Sequence, residues 1–308
     1  MSLVSRSSAR RRRITVAASL GGALALALTA CGSPTSHDSS MPGRDTPSSV
    51  ASTAQGTHHG DSAMPGMTMN TGDGLVTKKD GYTLAAKAAT LPTGKATSYR
   101  FAITGPDTRP VTDFAVEQTK RLHFYAIRSD LTGFQHVHPT MADDGTWTAG
   151  LGALRPGSWR LFAQFTPRTG AGKGQDFVLS RTVTVPGSAA TTVLPKASTT
   201  ATVDGYTVTV QGELMAGMAH PLTVTVSKDG KPVTDLQPYL GTYAHLTAFH
   251  EGDQAFAHLH PENKVEGRRG GPSLSFHAEL AKSGNWRLFL QFRTAGTLHT
   301  AALTLRVS

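Results

Sequence analysis

Six of the histidines fall into two copies of one pattern, H-x12-H-x-H: His123, His136 and His138, then His245, His258 and His260. In a β-strand, residues i and i+2 point to the same side, so His136 and His138 share a face, as do His258 and His260. A hairpin centred on Gly252-Asp253 sets His245 opposite His260. Directly opposed residues project to the same side with Cβ atoms roughly 5 Å apart, so all three imidazoles converge. The same construction about Asp130-Leu131 sets His123 opposite His138. A slip of one residue would send the first histidine of each set to the other face.

Three neutral imidazoles on neighbouring strands suit Cu(II), Cu(I), Zn or Ni, with a remaining position for water, a thioether or another side chain. The alternative is that they are strand histidines satisfied by backbone or by neighbouring side chains. His299 is a candidate fourth ligand in the second copy; Phe177 stands at its counterpart in the first, so the two sites need not be equivalent. His250 and His277 read as loop or solvent-facing residues.

Methionine narrows the choice of metal. His58, His59, Met64, Met67 and Met69 lie together in a polar stretch, and Met215, Met218 and His220 lead into a strand of the second copy. Thioethers are soft ligands that favour Cu(I), so copper is the expected cofactor, with zinc the alternative. For Met215, Met218 and His220, core packing competes evenly with ligation. Cys31 is the sole cysteine and lies at the end of the apolar N-terminal stretch, which leaves no ligand set of the blue-copper type.

These residues need strands to hold them. From about Gly74 onward apolar and polar residues alternate in short runs such as Tyr99, Phe101 and Ile103, or Leu222, Val224 and Val226. That is the period of β-structure, and turn signals such as Gly105-Pro106-Asp107 and Lys228-Asp229-Gly230 punctuate it. The stretch is also duplicated. Pro110-Val111-Thr112-Asp113 recurs as Pro232-Val233-Thr234-Asp235, and a constant offset carries each histidine of the first pattern onto its partner in the second. Gly157 to Phe165 (GSWRLFAQF) recurs as Gly284 to Phe292 (GNWRLFLQF), after a short insertion placed in the loop Asn263 to Gly271. The expectation is an all-β fold of two tandem immunoglobulin-like sandwiches, residues 74–190 and 197–308, joined near Pro186 to Pro195. A single larger barrel is the alternative. Alternation in Trp286, Leu288, Leu290 and Phe292 puts Trp286 and its counterpart Trp159 in the cores.

The N-terminus reads as an export signal over residues 1–30: Arg6, Arg10, Arg11, Arg12 and Arg13, then an uncharged apolar stretch from Ile14 to Leu28, shorter than the ~20 residues a membrane-spanning helix needs. Arg12-Arg13-Ile14 leaves Sec and twin-arginine export both open. Leu28-Thr29-Ala30-Cys31-Gly32 resembles the bacterial lipobox, which implies that Cys31 is lipidated and anchors the chain to the outer face of the cell membrane. The segment 31–73, poor in large apolar residues, reads as a disordered tether. Removing the five signal arginines from the formal charge of +9 leaves +4, and nothing elsewhere forms a phosphate-tracking stripe, so nucleic acid is not an expected partner.

Two resemblances bear on function. The tether resembles the Met/His-rich segments of bacterial extracytoplasmic copper-resistance proteins. Pro238-Tyr239-Leu240-Gly241-Thr242-Tyr243-Ala244-His245-Leu246, with His258-Leu259-His260-Pro261, resembles secreted actinobacterial lipoproteins described as heavy-metal (copper) binding. That likeness implies metal binding outside the cell; with the histidine triads and the methionines, the leading reading is a non-enzymatic protein that sequesters copper or delivers it to other extracytoplasmic copper-handling proteins. A structural or interaction module without metal is the second reading. A zinc-dependent hydrolase is the third, since three histidines and a water can generate a nucleophile.

Overall fold

The computed structural model describes residues 73–308, and every element among them is a β-strand. The first copy contributes β1 (Lys78–Lys79), β2 (Tyr82–Ala85), β3 (Thr97–Thr104), β4 (His123–Arg128), β5 (Gln135–Val137), β6 (Thr140–Met141), β7 (Thr146–Leu151), β8 (Gly157–Phe165) and β9 (Phe177–Val185). They form two antiparallel sheets, ordered β1-β2-β3-β7-β6 and β5-β4-β8-β9. The second copy contributes β10 (Thr200–Val203), β11 (Tyr206–Gln211), β12 (Ala219–Lys228), β13 (Lys231–Pro232), β14 (Ala244–His250), β15 (Phe256–Leu259), β16 (Ser273–Glu279), β17 (Gly284–Thr294) and β18 (Thr297–Val307). Its sheets run β10-β11-β12-β13, with β16 also on β12, and β15-β14-β17-β18. The architecture is two sandwiches, as the alternation and the repeat lead one to expect.

Each sandwich has its own core. In the first, Tyr99, Phe101 and Ile103 of β3 meet Phe124 and Ala126 of β4 and Trp159, Leu161, Ala163 and Phe165 of β8. In the second, Leu222, Val224 and Val226 of β12 meet Leu246 and Ala248 of β14 and Trp286, Leu288, Leu290 and Phe292 of β17. Both tryptophans are structural. Trp159 Nε1 donates to the Arg155 carbonyl at 2.8 Å and Trp286 Nε1 to that of Lys282 at 2.9 Å, so each indole is buried with its polar atom satisfied.

The sandwiches are not independent beads. All six residues of β4 are buried, as are the first six of the seven in β14, because both faces of these strands are covered. The second face of β4, β8 and β9 presents Tyr125, Ile127, Phe162 and Val178, which pack on Phe249, Phe256 and Phe289 of the second copy. Phe134 stacks on Phe289, with centroids 4.3 Å apart and rings 11° from parallel. The two four-stranded sheets therefore pack face to face, and the described residues lie within one compact unit. The connection between copies is pinned as well: Arg128 donates to the carbonyls of Pro156 and Ala190 and pairs with Asp130, which accepts from the Thr192 amide at 3.0 Å.

Candidate metal centre

The two histidine hairpins have the register that brings their triads together. Tyr125 pairs with His136 and Phe124 with Val137, which continues to His123 opposite His138. Thr247 pairs with His258 and Leu246 with Leu259, which continues to His245 opposite His260. The turns that set this register use left-handed backbone at Leu131 (φ 58°) and Gln254 (φ 64°), with Gly133 (φ 72°) and Gly252 (φ 100°) beside them. In each triad one nitrogen per ring lies within 4.8 Å of those of the other two.

Hydrogen bonding fixes which nitrogens those can be. His123 Nε2 donates to the Glu117 carbonyl at 3.0 Å, and its counterpart His245 Nε2 to the Tyr239 carbonyl at 3.2 Å. His136 Nδ1 lies 2.8 Å from Gln291 Oε1, and His258 Nδ1 lies 2.8 Å from Gln164 Oε1. Asp176 accepts from Gln164 Nε2 at 2.9 Å, which orients that amide and makes its oxygen the atom facing His258. Since an amide oxygen only accepts, the proton is on His258 Nδ1. Gln291 Nε2 is turned toward Thr300 Oγ1 at 3.5 Å, which leaves its oxygen facing His136 Nδ1 and puts the proton there; a neutral imidazole has one N–H, so His123 Nδ1 and His136 Nε2 both carry lone pairs, and they face each other at 3.0 Å. His245 Nδ1 and His258 Nε2 do the same at 3.2 Å. Two facing lone pairs repel unless a cation sits beside both. These spacings are close to the ~3.3 Å edge of a tetrahedron of nitrogens about 2.05 Å from a metal. The third ring of each triad, His138 or His260, brings a buried Nε2 with no hydrogen-bond partner.

Burial and mutual proximity favour the neutral form of all six rings. Burial first, and the neighbouring histidines second, hold His136, His245 and His258 well below the usual imidazole range. Burial likewise lowers His123, and lowers His138 and His260 to about 4. Rings that stay neutral keep their lone pairs available to a metal at any pH near neutrality.

The outer hydrogen bonds cross between copies. His136 of the first is oriented by Gln291 of the second, and His258 of the second by Gln164 of the first. Tyr125 of the first copy also places its hydroxyl 2.9 Å from His258 Nδ1. Such partners set the tautomer and orientation of a metal-ligating imidazole. Sequence reasoning took GSWRLFAQF and GNWRLFLQF for the tryptophans and missed these glutamines. The available signal was a polar residue at the same place in both copies, set in an otherwise apolar run, Leu161 to Phe165 and Leu288 to Phe292.

The remaining sequence expectations divide. His299 is not a fourth ligand: its Nδ1 is bonded to Asp204 at 2.7 Å and its Nε2 to Thr294 at 2.9 Å, and its ring packs on Tyr206 and Phe292. Position 299 pairs with Phe292 as Phe177 pairs with Phe165, so the correspondence with Phe177 holds while the ligand role does not. Met215 and Met218 are 46% and 51% exposed in the loop before β12; they are neither core nor part of the triads. His220 buries an unpartnered Nε2 on β12, also outside the triads. His250 is bonded to Asp253 and the Ser283 carbonyl, and His277 pairs with Glu262 at the surface. Cys31, His58, His59, Met64, Met67 and Met69 lie outside the described residues.

The profile of a family described as Domain of unknown function (DUF8832) matches residues 77–185 and again residues 201–308. The chain belongs to the DUF8832 family. Each DUF8832 copy thus carries one triad and one outward-facing glutamine that serves the other copy's triad. No curated protein matches the sequence. Among solved structures it is similar to the Escherichia coli adhesin FdeC (15% identity, TM-score 0.24, covering 75% of this chain and 65% of that one). It is also similar to InvD of Yersinia pseudotuberculosis (13%, 0.25, 75% and 58%) and to the Ig1-2 module of the Drosophila receptor protein tyrosine phosphatase DLAR (11%, 0.19, 73% and 96%). The chain spans less than two thirds of the first two. Scores this low carry no argument about function, and the sandwich architecture rests on the strand order above.

Proposed function

We propose that this chain is an extracytoplasmic metal-binding lipoprotein, held at the membrane through Cys31, that sequesters or delivers copper. The observation that supports it is the direction of the imidazole nitrogens: two N–H groups of each triad are committed outward, while lone pairs converge inward. Three-histidine sets of this kind suit Cu(I), Cu(II) or Zn. The Met/His tract from His58 to Met69 favours copper among them, since soft thioethers select Cu(I). In this reading the tether collects ions and the triads hold them.

The interaction-module reading leaves the inward lone pairs without a partner, which is costly for buried polar atoms. A hydrolase would need an acid or base beside its metal. Asp176 reaches the second triad through Gln164, but the corresponding position before His299 is Leu298.

The test is the melting temperature of residues 32–308 titrated with Cu(I), Cu(II) and Zn, beside a variant with His245, His258 and His260 changed to alanine. A ligand that binds only the folded state at 100 times its Kd stabilises by about 2.7 kcal/mol. Copper should raise the melting temperature of the wild type strongly and of the variant less. No rise with any metal, or equal rises, would return the histidines to a structural role.

A further inference from the structure

The two triads lie against one another. His123 and His258, from different copies, have ring centroids 5.5 Å apart. His136 stands 5.9 Å from both His245 and His258, and His123 stands 6.3 Å from His245. Within one triad the corresponding spacings run from 4.4 Å for His258–His260 to 5.4 Å for His245–His258. Rings that belong to different triads are therefore almost as close as rings that would share an ion. The crossed glutamine bonds follow the same approximate two-fold relation, since each copy positions a ligand of the other.

We propose that the six histidines form a single dinuclear metal centre, one ion per triad, with the two ions near enough to share a bridging ligand. The inference rests on the metal-binding reading and goes beyond it, because two separate mononuclear sites would serve sequestration equally well. Two cations so close in a buried site repel strongly unless negative charge is at hand. A pocket with a cavity volume of about 30 Å³ reaches the centre and touches His123 of one triad together with His258 and His260 of the other. That volume holds about two waters, room for a hydroxide or a diatomic ligand. Glu117 and Asp176 line the same pocket and supply carboxylates on that side. Lys120 and Arg121, which also line it, favour entry of a small anion. Ligands from both copies around one opening are what a bridged pair requires, and neither copy alone could build it.

The experiment is a Cu(II) titration of residues 32–308, the exported chain without its lipidated Cys31, with His58, His59, Met64, Met67 and Met69 changed to alanine so that the tether adds no copper; bound copper is counted by elemental analysis and unpaired spins by electron paramagnetic resonance on the same samples. The expected result is two coppers per chain, with an integrated signal far below two spins or visibly broadened by dipolar coupling. A His258→Ala, His260→Ala variant should hold one copper with a full, narrow one-spin signal. Two coppers giving two full, unbroadened spins in the wild type would overturn the dinuclear centre while leaving metal binding intact. One copper per chain in the wild type would overturn it in favour of a single ion among the inner rings. No copper at all would remove the metal-binding reading itself. The wild-type count decides the matter even where the variant fails to fold.

Discussion

Gln291 belongs to the second copy, yet it orients His136 of the first through a 2.8 Å bond. Replacing it with leucine keeps a buried apolar shape at a position only 5% exposed and removes the acceptor. The His136 Nδ1–H is then orphaned, which costs roughly 1–3 kcal/mol, and the ring is free to adopt the other tautomer or to rotate. Each 1.4 kcal/mol is about a tenfold change in affinity, so metal held by the first triad should weaken by about 10- to 100-fold, the range found for lost outer-shell partners. The assay isolates that triad in a His258→Ala, His260→Ala background and measures affinity by competition with a chelator. In that background Gln291→Leu should weaken the remaining ion although it alters a copy that no longer has its own site. Gln164→Leu, which serves His258, should leave that ion within a few-fold. Equal effects of the two substitutions, or none from Gln291→Leu, would refute the crossed outer shell.

Three further outcomes follow from the same geometry. Acid should destabilise the metal-free protein: unfolded histidines take up protons near pH 6.5, whereas His138 and His260 resist to about 4, so stability is complete above about 6.5 and is lost as pH falls toward 4. A pH series of melting temperatures checks this, and a flat profile between 6.5 and 4 would contradict it. Phe289→Ala, which removes the stack on Phe134, should cost ~3–5 kcal/mol in denaturant unfolding and weaken metal binding at both triads by loosening the face that aligns them. His299→Phe, which copies the residue of the first module, should leave the metal-to-protein ratio unchanged, because that ring is already bonded to Asp204 and Thr294.

Much of this architecture was legible in the sequence because β-structure has a strict period of two. Hairpins centred on Gly252-Asp253 and Asp130-Leu131 require His245 to face His260 and His123 to face His138, and the observed registers continue to those pairs. Packing between the copies leaves a fainter mark in the sequence. His123-Phe124-Tyr125-Ala126-Ile127 and Leu246-Thr247-Ala248-Phe249 do not alternate cleanly with polar residues, the mark of strands covered on both faces. Nothing local could show that the two triads meet, since that depends on how one sheet face seats on another across more than a hundred residues of chain. His299 misled for a related reason: a histidine near an aromatic strand is equally suited to ligation and to bonding a loop carboxylate such as Asp204, and only tertiary position separates the two.

Metal bound by this protein should sit at the converging nitrogens of the two triads. Anomalous X-ray scattering from crystals of the copper-loaded protein, collected above and below the copper absorption edge, tests it most directly. One peak should lie within about 2.0–2.1 Å of ring nitrogens of His123, His136 and His138, and a second at His245, His258 and His260. An anomalous map with copper only elsewhere, or with none bound by the folded protein, would contradict it.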